Sequence, residues 1–352
     1  MAAALPAVAA VHGRVRSRTD SSVRRTVGLA ACGAVLLAAV WLSLAVGSRS
    51  LDPATVIGAL TDPSSASVDH LVVRELRVPR TVIGIAVGAA LAVAGTLMQG
   101  LTRNPLADPG LLGVNAGASL FVVLAITLFG LTSPAAFVWF AFAGAAAATV
   151  LVYAVGSAGR EGATPMRLAL AGTALTAGIT SIISVLLITR LDTVNAYRLW
   201  SVGSLAAREL GDLATLLPFL LAGIVLAAIC ARPLDLLAMG DDLARGLGQN
   251  LALARITATL AIVLLCGAAT ALAGPIVFIG LVIPHIVRPF VGASHGWMLA
   301  WACLLGPALL LLADVIGRIV AAPGELEAGL VAAAIGAPVM IAVVRTSKAV
   351  RL

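Results

Sequence analysis

Apolar residues in this chain come in long unbroken runs, without the three-to-four-residue alternation of a helix that covers a soluble core. From Thr81 to Thr102 no charged residue interrupts the run, which matches the ~20 residues a helix needs to cross a ~30 Å hydrocarbon layer. Arg77-Val78-Pro79-Arg80 precedes it, and Arg103-Asn104-Pro105-Leu106-Ala107-Asp108-Pro109-Gly110 ends it before the chain turns apolar again. Two prolines with Asn and Asp break a helix and reverse the chain, so the stretch predicts a membrane hairpin. The same reading along the whole chain yields spans at about 27–47, 81–102, 110–131, 135–156, 167–189, 213–231, 254–273, 275–291, 297–317 and 327–345. The eighth is short and proline-interrupted, which leaves nine as the alternative count. The predicted fold is all-α, a polytopic bundle of about ten transmembrane helices over 26–345, with a disordered tail at 1–25 and a short tail at 346–352.

Composition agrees: 61% of residues are hydrophobic and 11% charged, against roughly a quarter charged in soluble domains. Lys and Arg favour the cytoplasmic side of a membrane protein. With the N-terminus inside, fifteen of the 23 Lys and Arg fall inside, both termini are cytoplasmic and the span number is even, which supports ten. The net charge of +7 then follows from topology and does not call for nucleic acid. Arg24-Arg25 before an apolar run loosely resembles a twin-arginine signal, but the run exceeds the roughly 7–15 residues of a signal core and lacks a small-residue cleavage site. It reads as a retained first helix. Cys32, Cys230, Cys266 and Cys303 lie in or beside spans without paired spacing and read as small packing residues.

Several chemistries are disfavoured. Lys348 is the only lysine, so the chain cannot build a Gly-Lys-Ser/Thr phosphate loop. His12, His70, His285 and His295 are scattered, with no zinc-binding pair and no nucleophile elbow. Catalytic residues, metal ligands and a bound cofactor are therefore not expected; ATP and Mg, if used, belong to a partner. An ion-coupled carrier keeps ionisable groups mid-membrane; Asp314 is the best candidate, but Arg318 stands four residues on, where the two pair on one helical face. Gly84, Gly88, Gly113, Gly117, Gly172 and Gly178 suggest close helix packing.

The loop 232–253 joins the sixth and seventh spans on the inner side. Within it Leu234, Leu237, Leu243 and Leu247 offer apolar contacts, Gly240 allows a bend, and Asp241 and Arg245 are spaced to pair at i,i+4. On the outer side Arg74, Arg77, Arg80 and Arg318 stand where positive charge is depleted and call for an explanation.

From about Gly47 to Arg345 the chain resembles the FecCD-type permease subunits of ABC importers for ferric siderophores, haem and cobalamin. The likeness rests on Arg77-Val-Pro-Arg80, Gly95-Thr-Leu-Met-Gln99, Asn104-Pro-Leu-Ala-Asp-Pro-Gly-Leu-Leu-Gly-Val114, Leu170-Ala-Gly172, Trp200-Ser-Val-Gly-Ser-Leu205, Leu236 to Gly248, Ala273 to His285, Leu312 to Arg318 and Ile335-Gly-Ala-Pro338. It implies a type II importer permease in a bacterial cytoplasmic membrane. Its partners would be a second permease, identical or paralogous, two cytoplasmic ATPase subunits, an extracytoplasmic binding protein and the lipid bilayer.

By the same resemblance, 232–253 corresponds to the coupling element seated in a groove of the ATPase; an amphipathic helix on lipid headgroups is the alternative. Arg77 and Arg318, with Arg80 beside them, match arginines that receive glutamates of the binding protein. Interfacial anchoring and the Asp314–Arg318 pair are the competing reading. Asn104 and Leu106, with Pro165 and Met166 facing them, resemble the cytoplasmic gate, although some relatives carry small hydroxyl residues there and Asn104-Pro105 also serves simply to end a helix. Thr173, Thr176 and Thr180 either line the pathway or satisfy backbone carbonyls. The expected cargo is a ferric siderophore by its frequency in the family, with cobalamin or haem as alternatives; an ion-coupled secondary transporter and an intramembrane enzyme are the rivals from other classes.

Overall fold

The computed structural model describes residues 18–47, 50–62, 67–131, 134–158 and 164–346. Helix α1 spans Arg18–Ala45, α2 Pro53–Thr61 and α3 Val68–Leu71, which runs through a wide π turn, Val72–Arg77, into α4, Val78–Thr102. Then come α5 (Val114–Phe129), α6 (Pro134–Ser157), α7 (Pro165–Thr189), α8 (Leu191–Ser201) and α9 (Leu210–Ala238). The short α10 (Asp241–Gly246) leads to α11 (Leu251–Ala273), α12 (Ile279–Val291), α13 (His295–Val320) and α14 (Ala328–Thr346). Among the described residues, seven helices are long and apolar enough to cross a membrane, and α5, α12 and the start of α14 are shorter apolar helices; together they occupy the ten predicted spans.

The differences from the predicted spans are local. Helix α1 starts at Arg18, inside the predicted tail; residues 1–17 and 347–352 lie outside the described residues. The third and eighth spans are helical only in part, because the 3₁₀ turn Pro109–Leu112 precedes α5 and residues 274–278 precede α12 without helix. Irregular backbone at membrane depth requires polar partners within the protein. Beside the eighth span, Ser204 N donates to the carbonyl of Ala273, the last residue before the irregular segment, at 2.7 Å, and Gly329 N donates to Gly203 O at 2.9 Å. Helix α9 continues through Pro233 to Ala238. A proline costs an internal hydrogen bond, and here complete burial of Leu234 and Leu237 against the bundle keeps the helix going.

Helix α4 is the hub, packed on α13, α11, α9 and α12, with 78% of its most apolar stretch buried. Helix α7 lies at the other extreme, with 17% buried. Close approach explains the centre: a Cβ on Gly88 would meet the backbone of Gly306 and Pro307, and one on Gly95 the backbone of Gly280. Gly117 and Gly144 bring α5 and α6 together in the same way, whereas Gly178 faces open space. In a bilayer, where apolarity does not separate helix from lipid, such backbone contact is what orders a bundle.

Candidate functional site

Chemistry-bearing side chains gather at the two ends of the bundle. At one end the last turn of α1 exposes carbonyls that no further helical turn can satisfy. Arg77 Nη1 donates to Leu44 O at 2.7 Å. Arg318 Nη1 donates to Ser43 O at 3.0 Å and to Val46 O at 3.1 Å, while its Nη2 reaches Ser43 Oγ at 3.0 Å. Two guanidinium groups thus close the C-terminus of α1, where positive charge also complements the helix dipole. Asp314, fully buried, is the anion of this cluster. Arg318 pairs with it at 2.8 Å, as the i,i+4 spacing predicts, and Arg80 binds both its oxygens, Nε at 3.0 Å to each and Nη2 at 2.7 Å to Oδ1. Arg80 Nη1 also holds Glu325 at 2.6 Å. Arg77 and Arg318, 6% and 2% exposed, are therefore occupied by this chain's own acceptors. All three arginines still line a cleft of about 590 Å³ together with Glu325, Glu75 and Arg208.

At the opposite end Gly240, with φ +113°, turns the chain sharply from α9 into α10. Asp241 opens α10, where a carboxylate suits the positive helix end. The predicted Asp241–Arg245 pair is not formed. Asp241 bonds Arg103 at the end of α4 and Arg255 Nη2 of α11, the latter at 2.6 Å, and Arg245 pairs with Asp242 at 3.2 Å. In a helix this short, Asp242 shares the outer face with Arg245 while Asp241 turns toward the bundle. Burial alone would raise the Asp241 carboxyl, but the hydrogen bonds and charges of Arg103 and Arg255 outweigh it and hold the group below its ordinary value. Of the four leucines read as contact residues, Leu234 and Leu237 are core residues of α9, whereas Leu243 and Leu247 are 48% and 58% exposed. Met239 beside them, not singled out from sequence, is exposed as well. Asp235 adds a further unforeseen contact: its Oδ1 accepts from His295 N at 2.8 Å and lies 2.7 Å from His295 Nδ1, which caps the start of α13.

The predicted gate residues lie at this second end. Helix α4 stops where Arg103 turns left-handed, and Asn104 Oδ1 accepts from Leu106 N at 2.9 Å. Asp108 Oδ1 accepts from Gly110 N at 2.8 Å, capping the 3₁₀ turn. Leu106 and Met166 are both exposed. Pro165 opens α7 behind the N-cap Thr164. About two turns further along, Gly172 admits the Leu111 carbonyl and so seats α7 on the 3₁₀ turn. Along the exposed face of α7, Thr173 Oγ1 donates to Leu170 O at 3.0 Å and Thr180 Oγ1 to Thr176 O at 2.8 Å. These two hydroxyls bond the helix's own carbonyls.

A bundle with ionic clasps at both ends and one bare helix has relatives. The FecCD transport family matches residues 35–346. The chain belongs to that family. It is 46% identical over 325 residues to the ferric enterobactin transport system permease protein FepD of Escherichia coli (strain K12), covering 92% of this chain and 96% of that one. It is 43% identical over 282 residues to the Fe(3+)-citrate import system permease protein YfmD of Bacillus subtilis (strain 168), covering 80% and 84%. Among solved structures, an inward-facing conformation of a metal-chelate type ABC transporter superimposes with a TM-score of 0.77 at 26% identity, over 90% of this chain and 98% of that chain. Like these FecCD permeases, the chain is a multi-pass, all-α membrane protein.

Proposed function

We propose that this chain is the membrane-spanning permease subunit of a binding-protein-dependent ABC importer, and that it carries a ferric siderophore inward across a bacterial cytoplasmic membrane. Two ATPase subunits on the Asp241 side drive it, a second permease chain packs against it, and a binding protein docks at the Arg77 side. The observation that carries this reading is the exposed apolar trio of Met239, Leu243 and Leu247, on and at either side of a short helix that Asp241 ties to α4 and α11 through Arg103 and Arg255. A push on that trio is delivered directly to α4, the most buried helix of the bundle. The exposed face of α7 provides the surface for the second permease and the pathway between the two, with Leu106 and Met166 as its inner constriction. Nucleotide binding by the ATPases favours one arrangement of the bundle and hydrolysis resets it. Ferric enterobactin and Fe(3+)-citrate, the cargoes named for two similar relatives, support a ferric chelate of the siderophore kind.

The test is Leu243→Asp in the complete transporter reconstituted in vesicles. Iron-chelate uptake should fall to background while the ATPase subunits continue to hydrolyse ATP without coupling to transport. Uptake and stimulated hydrolysis both at wild-type levels would remove α10 as the contact. The permease alone should neither hydrolyse ATP nor concentrate chelate; uphill uptake by the purified chain in an ion gradient would establish a secondary transporter instead.

A further inference from the structure

Four arginines line the cleft at the Arg77 end, and three are engaged: Arg77 by the Leu44 carbonyl, Arg80 by Asp314 and Glu325, Arg318 by Asp314 and the end of α1. Arg208 is different. It is 8% exposed, it lines the same cleft, and its Nε is buried without a hydrogen-bond partner. Among the described residues it forms no hydrogen bond or ion pair. Asp212, four residues on, attracts it only through space, and the net effect of burial is to pull the guanidinium below its ordinary pKa.

The backbone on either side of Arg208 is fixed by its neighbours. Leu205 is fully buried, Ser204 N is bonded to Ala273 O and Gly203 O to Gly329 N, and Ala207, immediately before Arg208, is held at φ +53°. A non-glycine residue in that region is strained, and such strain persists only where the surroundings impose it. A guanidinium that is 8% exposed and whose Nε is buried without a partner is costly, so a loop that fixes one at a cleft wall has an acceptor to receive.

We propose that Arg208 is a docking residue that receives a carboxylate side chain of the extracytoplasmic binding protein. This rests on the importer reading above. The lining of the cleft favours that ligand over the chelate itself. Its four arginines are balanced by four carboxylates, so no net field draws in a multiply charged anion, whereas one carboxylate matches the planar fork of one guanidinium. Arg208 thereby differs from Arg77, Arg80 and Arg318, each of which has at least one guanidinium nitrogen bonded to an acceptor of this chain, although Arg318 Nε is likewise buried without a partner.

The experiment compares Arg208→Met, Arg208→Lys and Arg208→Glu in the complete transporter in nanodiscs, measuring binding-protein affinity and thermal midpoint. Removing an unpaired buried charge should leave the midpoint of Arg208→Met unchanged or higher, while docking weakens by about tenfold or more; Lys should recover part of it. Arg208→Glu should be rescued by one acid-to-arginine change in the binding protein. A lowered midpoint with normal docking would make Arg208 structural, and normal docking with a raised KM for chelate would place it on the cargo; either overturns the proposal. A wild-type transporter that binds no binding protein at all would instead remove the importer reading, and this inference with it.

Discussion

Each end of the bundle holds an aspartate clasped by two arginines, yet the two clasps are built for different purposes. Asp314 is fully buried between Arg80 and Arg318, with side-chain exposures of 0%, 11% and 3%. Asp241 sits between Arg103 and Arg255 with exposures of 31%, 39% and 22%. The same three groups in a dry site form a permanent joint, since removing one partner strands a charge that cannot be hydrated. In a wet site they form a hinge, because water and salt compete for every member. The first clasp binds α1, α4 and α13 into one unit; the second attaches the small α10 to α4 and α11, where a partner's motion has to be transmitted without breaking the bundle.

The largest expected effect comes from breaking the dry clasp. Asp314→Asn should lose about 3–5 kcal/mol, because two buried guanidinium groups lose the carboxylate charge they share and keep only Glu325 and the acceptors at the end of α1; thermal unfolding of the purified chain in detergent measures it. A loss under about 1 kcal/mol would mean that water reaches this end and that the two clasps do not differ. Next, a Gly95→Leu change should cost at least about 1–3 kcal/mol, because it wedges α4 away from the Gly280 backbone that it touches between the two ends. The same melting experiment should show this loss adding to that of Asp314→Asn if the two sites are independent. Breaking the wet clasp should be mild: Asp241→Asn is expected to cost about 0–1 kcal/mol in melting, while ATP-driven uptake falls more than stability does. Equal losses in both would make α10 a structural element only.

The smallest effects are those of solvent. Because the Asp241 carboxyl is held below its ordinary value by Arg103 and Arg255, its contribution is complete above the unfolded pKa of about 4 and is lost as pH falls through the lower folded value. Acidification below about pH 4 should therefore increase hydrogen exchange in α10 before the rest of the bundle opens. Raising ionic strength, which shortens the screening length from about 8 Å at 0.15 M toward about 3 Å at 1 M, should act in the same direction on α10 and leave the Asp314 cluster unchanged.

These clasps also mark how far sequence reading reaches. The Asp314–Arg318 contact was legible because it is four residues apart on one helix. Arg80 as the second partner was not, since 234 residues separate it from Asp314. The Asp241–Arg245 expectation followed the same local rule and failed, because Arg103 and Arg255 outcompete it from other helices. Leu234 and Leu237 looked like contact residues for want of any signal that α9 passes through Pro233 into the core. Arg208 carried no motif; only the burial of its Nε separates it from an ordinary loop arginine.

The chain by itself determined that it is a bundle of membrane helices with breaks at Asn104 and around Pro275, because uninterrupted apolar length and helix-breaking residues act within a few neighbours. Its long motifs in order also determined its family. The tertiary structure decided which arginines of the cleft are bonded inside the chain and that Arg208 among them is not, which leucines are exposed and which form a core, and where a carboxylate finds its partners. Those outcomes depend on desolvation and on distances between helices remote in sequence, and neither exists until the bundle has packed.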